Sequence, residues 1–218
     1  MIRAIAFDLD GTLIDTAPDL GASANLMLGR LGRAPLPQSS IPRLIGAGIS
    51  VFVEPVLQET AEDHSSSPVM RAGGEALFRR LYRDHLFERG RLYPGVRATL
   101  KSLADSGIAL CCITNKESAF TSHLLTAAHL DSYFQHVLCA DYIEDRKPSP
   151  NLLLQACKRV GVKPRELLNV GDSRADIIAA RAAGCRIASV SYGYQDAQTL
   201  LQMHPDEMIE SLSEVTQL

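Results

Sequence analysis

The sequence predicts an α/β fold: a parallel sheet core flanked by helices, with an inserted helical cap domain near its N-terminus. Three observations carry this reading. Short, nearly continuous apolar runs alternate with helical segments, as strands covered on both faces alternate with their crossover helices. Gly107, Gly161 and Gly184 follow three of those segments, where a left-handed helix stop is wanted. One stretch, residues 15–89, breaks the alternation, with helical patterning and no convincing strand.

The first strand is expected over residues 2–9, where an apolar run meets Asp8. The insertion follows, punctuated by the turn-rich Gly32-Arg33-Ala34-Pro35-Leu36-Pro37 and the polar Asp63-His64-Ser65-Ser66-Ser67-Pro68, both read as connections between helices. The chain rejoins the core around Leu92-Tyr93-Pro94-Gly95. From there the order is a helix near 95–106, a strand at 108–113, a helix near 117–129, a strand at 136–140 and a helix at 151–160. A strand at 168–170, a helix at 173–183 and a strand at 186–190 complete the series. Residues 1–14 with 90–218 thus form the core domain, and 15–89 the cap.

At 218 residues the chain is long enough for a sizeable core, and its 46% hydrophobic and 22% charged content excludes disorder. The 22 basic residues against 25 acidic ones, with no basic stripe, argue against a nucleic-acid partner. The N-terminal apolar run is too short for a signal or a membrane span, so no membrane partner and a cytoplasmic location are expected. Five cysteines without a C-x-x-C read as small buried hydrophobes, and the six histidines show no zinc spacing.

The chemistry begins where the first strand ends, at Asp8-Leu9-Asp10-Gly11-Thr12. In an open parallel sheet, ligands bind beyond the carboxyl ends of the strands. Two carboxylates two residues apart suit a divalent cation or a division into nucleophile and acid/base, though such a turn is equally at home in solvent. Further motifs stand at later strand ends: Thr114-Asn115-Lys116 ahead of a helix, Arg146-Lys147-Pro148, and Gly171-Asp172-Ser173-Arg174-Ala175-Asp176. Each alone reads as a cap or turn; four at successive strand ends are hard to attribute to capping.

In combination and order these motifs resemble the haloacid dehalogenase-like superfamily over essentially the whole chain, the insertion matching its small helical cap. Thr16-Ala17-Pro18-Asp19-Leu20, Ile45-Gly46-Ala47-Gly48 and Ser191-Tyr192-Gly193-Tyr194 are similar to its phosphoglycolate phosphatase branch. The resemblance implies a Rossmann-like core and a Mg²⁺-dependent phosphatase. Asp8 would be the nucleophile, forming an aspartyl-phosphate, and Asp10 the acid and then the base. Mg²⁺ would be held by Asp8, the Asp10 carbonyl and Asp172, with Asp176 in support. Thr114 would grip phosphoryl oxygens and Lys147 would offset charge.

Thr12, Asn115, Gly46 and Gly48 are expected at the substrate. Arg43 is a candidate partner for a substrate carboxylate and reads equally as a surface arginine. A carboxyl at position 10 suits protonation of an alkoxide leaving group, which disfavours carbon–halogen and carbon–phosphorus cleavage. The expected substrate is a small phosphorylated metabolite, 2-phosphoglycolate first, with another small metabolite such as a sugar phosphate or nucleotide, or a phosphosugar mutase reaction, as alternatives. A binding module that has lost catalysis is disfavoured by the intact motifs. A monomer or homodimer is expected.

Overall fold

The computed structural model describes residues 1–61 and 67–218. Residues 63–66 of the polar stretch read as a helix connection lie outside the described residues.

The chain begins with strand β1 (Ala4–Phe7), followed by β2 (Ile14–Asp15) and three helices, α1 (Ala17–Arg30), α2 (Ile49–Glu59) and α3 (Pro68–Asp84). Strand β3 (Arg91–Leu92) then leads into α4 (Val96–Asp105), β4 (Ala109–Thr114), α5 (Ser118–Ala127), β5 (His136–Cys139) and α6 (Asn151–Val160). The chain ends with β6 (Leu167–Gly171), α7 (Arg174–Ala183), β7 (Arg186–Val190), α8 (Ala197–Leu201) and β8 (Glu207–Ile209).

Six strands form one sheet in the order β5-β4-β1-β6-β7-β8, every pairing parallel. Alternation within each strand sorts side chains to the two faces. Ile5 and Phe7 of β1, with Leu110 and Cys112 of β4 and Leu168 and Val170 of β6, pack on Leu100 and Leu103 of α4 and Leu124 of α5. Ala4, Ala6, Cys111, Ile113 and Leu167 face the other way, onto Leu152, Leu153 and Ala156 of α6 and Ile177 and Ala180 of α7. Small residues on β1's second face let those helices sit close.

The helical insertion has its own apolar cluster. Leu20, Ala24, Met27 and Leu28 recur at helical spacing on one side of α1 and meet Phe52, Val53, Val56 and Leu57 of α2 and Phe78, Leu81 and Tyr82 of α3. Phe120 of α5 joins them, so the cluster reaches across to the sheet domain. The start of α3 is set by Pro68 in the first turn and by the Ser67 side chain accepting from the Met70 N–H.

Strand order reverses at β1, with β4 on one side and β6 on the other, and this switch point opens a crevice beyond its carboxyl end. The register pairs Phe7 with Cys112 and with Val170, so the chains leaving all three strands emerge side by side. The first strand is shorter than its apolar run, because the Leu9 carbonyl accepts from both Leu13 and Ile14 N–H in a tight turn rather than continuing the ladder.

Candidate active site

Asp8 stands one residue beyond β1, its N–H still donating to the Val170 carbonyl at 2.9 Å. Asp172 follows β6 directly, and Asp176 sits in the first turn of α7. These three buried carboxylates bring one oxygen each within 4.8 Å of one another.

Each is held by its own partners. The Thr12 hydroxyl donates to Asp172 Oδ1 at 3.2 Å, and the Tyr194 N–H donates to Oδ2 at 2.8 Å. Asp176 accepts from the Ser173 N–H while the Ser173 hydroxyl accepts from the Asp176 N–H, a reciprocal cap that starts α7 and orients the carboxylate at once. Lys147 Nζ reaches Asp8 Oδ1 at 2.8 Å, Asp176 Oδ1 at 2.7 Å and the Ile113 carbonyl at 3.2 Å, which uses all three of its protons.

The backbone around Asp172 admits no side chain. A Cβ on Gly193 would stand 2.1 Å from Asp172 Cβ, and one on Gly11, where φ is +84°, would stand 2.2 Å from Asp172 Oδ2. Sequence reading took Gly11 as a turn residue and did not single out Gly193, whose constraint comes from a contact 21 residues away in sequence.

Four carboxylates (Asp8, Asp10, Asp172 and Asp176) face two ammoniums (Lys116 and Lys147). The imbalance is felt directly. Burial, opposed by Lys147 and reinforced by Asp176 and Asp10, pushes the Asp8 carboxyl up to about 7. Burial, with Asp8 and Asp176 beside it, pushes Asp172 well above the carboxylate range. Burial works against the charge on Lys147, but Asp176 and Asp8 outweigh it and hold the ammonium above the usual lysine range. A cluster of hard oxygen donors with uncompensated negative charge fits an oxygen-ligated divalent cation such as Mg²⁺.

Asp10 lines the same cleft as Asp8. Its Oδ1 accepts from the Thr16 hydroxyl at 2.6 Å, and Lys116 Nζ stands 3.1 Å from its Oδ2. Lys116 also donates to the Tyr82 hydroxyl at 3.2 Å and lies 5.0 Å from that ring's centre. Sequence reading placed Lys116 in a strand-end motif without a role. Its two partners, Asp10 and Tyr82, come from distant parts of the chain.

The other expected residues divide. Thr114 lines the cleft, accepts from the Lys116 N–H at 3.1 Å, and its own hydroxyl proton has no acceptor among the described residues. Asn115 lines the cleft too, but its amide is engaged by loops: Oδ1 accepts from Lys147 N–H at 2.7 Å, and Nδ2 donates to the carbonyls of Gly46 (2.7 Å) and Lys147 (3.1 Å). The Thr12 hydroxyl is fully buried and spent on Asp172. Thus Asn115 and Thr12, expected at the substrate, hold the loops and carboxylates around it. Arg43 is corrected more sharply: it is largely exposed, pairs with Glu59 at 2.6 Å, and does not line the cleft. Gly46 and Gly48 do line it.

The two crossings between sheet and helices are pinned by residues that stand in the sequence motifs but whose roles those motifs do not state. Tyr194 Oη accepts from the N–H groups of Thr16 (2.7 Å) and Ala17 (2.9 Å) and donates to Asp15 Oδ1 at 2.9 Å. The buried Asp19 accepts from the N–H groups of Arg89 (2.7 Å) and Gly90 (3.0 Å). The cleft between these parts has a volume of about 430 Å³ including its open mouth. Leu20, Ile45, Ile49 and Phe52 wall one side, and Asp8, Asp10, Thr114 and Lys116 the other.

Residues 5–190 match the model of the haloacid dehalogenase-like hydrolases, and the chain belongs to that family. Family and site together define a phosphoric monoester hydrolase. The chain is 43% identical to the phosphoglycolate phosphatase of Nitrosospira multiformis, with 100% of this chain and 95% of the relative covered. It is 41% identical to that of Neisseria gonorrhoeae, covering 98% and 92%. Among solved structures, one from Haemophilus somnus described as a predicted phosphoglycolate phosphatase superposes with a TM-score of 0.93 at 29% identity, covering 99% of this chain and 97% of that one. No helix among the described residues is long and apolar enough to cross a membrane.

Proposed function

We propose that the chain hydrolyses 2-phosphoglycolate to glycolate and phosphate through an aspartyl-phosphate on Asp8, in the cytoplasm and with Mg²⁺ bound. The observation that carries this reading is that a second carboxyl, Asp10, lines the same small cleft as Asp8 of the buried Asp8–Asp172–Asp176 cluster. The names of the relatives supply the first candidate substrate.

Asp8, Asp172 and the Asp10 carbonyl would hold Mg²⁺, with Asp176 supporting. When bound, the ion offsets the charge that the carboxylates and a phosphate dianion would otherwise set against each other. Asp8 attacks phosphorus, forming its own P–O bond as the ester P–O bond breaks, and Asp10 gives its proton to the departing alkoxide oxygen. Asp10 then takes a proton from water, which cleaves the aspartyl-phosphate and returns Asp8. The free Thr114 proton grips a phosphoryl oxygen, and Lys147 steadies Asp8. Residues 15–89 act as a lid that closes over the cleft and excludes water, hinged where Tyr194 and Asp19 pin the two crossings.

A panel of phosphorylated metabolites, scored by phosphate release, tests this. The expected result is the highest kcat/KM for 2-phosphoglycolate and near-complete loss of turnover on chelation, restored by Mg²⁺. Preference for hexose phosphates or nucleotides would overturn the substrate, retention of the phosphoryl group on a rebound sugar would indicate a mutase, and full activity in excess EDTA would overturn the mechanism.

The packing at Gly193 gives a second expectation. Gly193→Ala forces Asp172 to move, and a displacement of about 1 Å near reacting groups costs on the order of 100-fold in rate. The variant should therefore lose about that factor in kcat, and the overpacking, worth about 1–3 kcal/mol, should lower its melting temperature by several degrees; wild-type kcat in a folded variant would refute the assigned role of Asp172.

A further inference from the structure

With Arg43 turned outward onto Glu59, the anionic end of the proposed substrate lacks its expected partner. Lys116 is the one cationic side chain among the described residues that line the cleft. Lys147 lies behind Asp8 with every proton engaged. The Arg146 guanidinium, outside that lining, donates to the Ala47 carbonyl at 3.3 Å and packs on the outer face of Gly48 with its buried Nε unpartnered, so it stands behind the cleft's glycine turn rather than in the cleft.

Lys116 is held for a purpose that its own contacts do not exhaust. An ammonium has three protons, and two point to Asp10 Oδ2 and the Tyr82 hydroxyl. The third has no acceptor among the described residues, although the side chain is only 5% exposed. Burial works against its charge, but Asp10 and Tyr82 outweigh burial and keep the ammonium above the usual lysine range. A buried cation with an unspent proton, facing a cleft, attracts an anion.

The opposite wall narrows the ligand further. Leu20, Ile45, Ile49 and Phe52 contribute only hydrocarbon, and Gly46 and Gly48 contribute no side chain. A sugar or nucleoside would bury hydroxyls against that wall without partners, at a cost that sites built for polyols avoid.

We infer that Lys116 is the specificity residue of the site, its ammonium reading a carboxylate on a short, otherwise apolar leaving group. The inference rests on the phosphatase reading above and deepens it to a substrate class: two- or three-carbon phosphorylated acids. Because Tyr82 belongs to α3 of the insertion, the cation takes up its place only where the helices and sheet domain meet.

The test compares 2-phosphoglycolate with ethyl phosphate, which has the same chain length and no carboxylate, in the full-length Mg²⁺-loaded enzyme. Since Lys116 also touches Asp10, the readout is the ratio of the two kcat/KM values, in which a common loss cancels. Wild type should strongly favour the acid. Lys116→Met should lower the ratio by about 10- to 100-fold, as expected for losing one charged hydrogen bond, and Lys116→Arg should restore part of it. Lys116→Gln, which keeps hydrogen bonds toward Asp10 and Tyr82 without the charge, should also lower the ratio and serves if the Met variant does not fold. A wild-type ratio retained in the variants while both rates fall together would overturn the inference and leave Lys116 acting only through Asp10. A wild-type enzyme that turns over both esters equally would overturn the 2-phosphoglycolate reading and, with it, the carboxylate role of Lys116, an outcome the wild type alone distinguishes from failure of the inference in the variants.

Discussion

Asp8→Asn should abolish turnover, by on the order of 10⁴-fold or more, as removal of a covalent nucleophile does. The substitution is close to isosteric, and it removes a charge that burial already disfavours. Lys147 keeps Asp176 and the Ile113 carbonyl as partners, so the fold should survive. An amide cannot form an acyl phosphate, so acid-quenched wild type should show a phosphoenzyme on Asp8 and the variant none. Asp10→Asn should behave differently: both half-reactions slow, but an aryl phosphate with a low leaving-group pKa recovers part of the first because it needs less protonation. Phosphoenzyme should then accumulate on Asp8 when that substrate is supplied. A phosphoryl group trapped on Asp10, or on any serine or histidine, would show the roles to be misassigned.

The residues proposed to carry this chemistry stand out in the sequence because of where they lie. Asp8, Thr114 and Asp172 each follow an apolar run that can only be a buried strand, and parallel pairing brings such ends together. Lys147 was found by its place in the same series, although nothing local says it will bridge Asp8 and Asp176. What escaped are features without a local pattern. Strand β8 is three residues at the sheet edge, and the β2–β3 ribbon pairs two residues from each side, too few for an alternation to register. Tyr194 clamps the first crossing from 178 residues away, and Asp19 the second from 70, so no window contains both partners. Arg43 shows the opposite case, a residue the sequence leaves between two readings. A lone arginine beside a glycine turn suggests anion binding, and only the path of α2 reveals that Glu59 claims it.

Asp172→Asn should stabilise the metal-free protein while removing its response to Mg²⁺. Both Asp8, pushed up to about 7, and Asp172, pushed well above the carboxylate range, hold their protons more tightly folded than unfolded. For an acid raised in this direction, the folded state is favoured at low pH, and stability is lost as pH rises from the unfolded value near 4 through the folded one. Metal-free wild type should therefore lose stability between about pH 4 and pH 7 through Asp8, with Asp172 acting in the same direction. Asparagine at 172 removes one of the crowded charges without stranding its partners: its carbonyl can accept from the Tyr194 N–H, and its amide can donate to the Thr12 hydroxyl, which reverses its role. Relief of a strained functional site is commonly worth about 0.5–2 kcal/mol, or roughly 1–8 °C in melting temperature for a chain of this size. The gain should be larger at pH 8 than at pH 5, because lower pH neutralises the crowded carboxylates that the substitution relieves. Mg²⁺ should do the reverse for wild type, raising its melting temperature by mass action most at pH 8, where the carboxylates are free to bind it. The variant should show little such rise and little phosphatase activity. Equal Mg²⁺ stabilisation of both proteins at pH 8 would mean that the ion binds elsewhere. A metal-free wild type whose melting temperature climbs from pH 5 to pH 8 would show that the cluster carries no uncompensated charge.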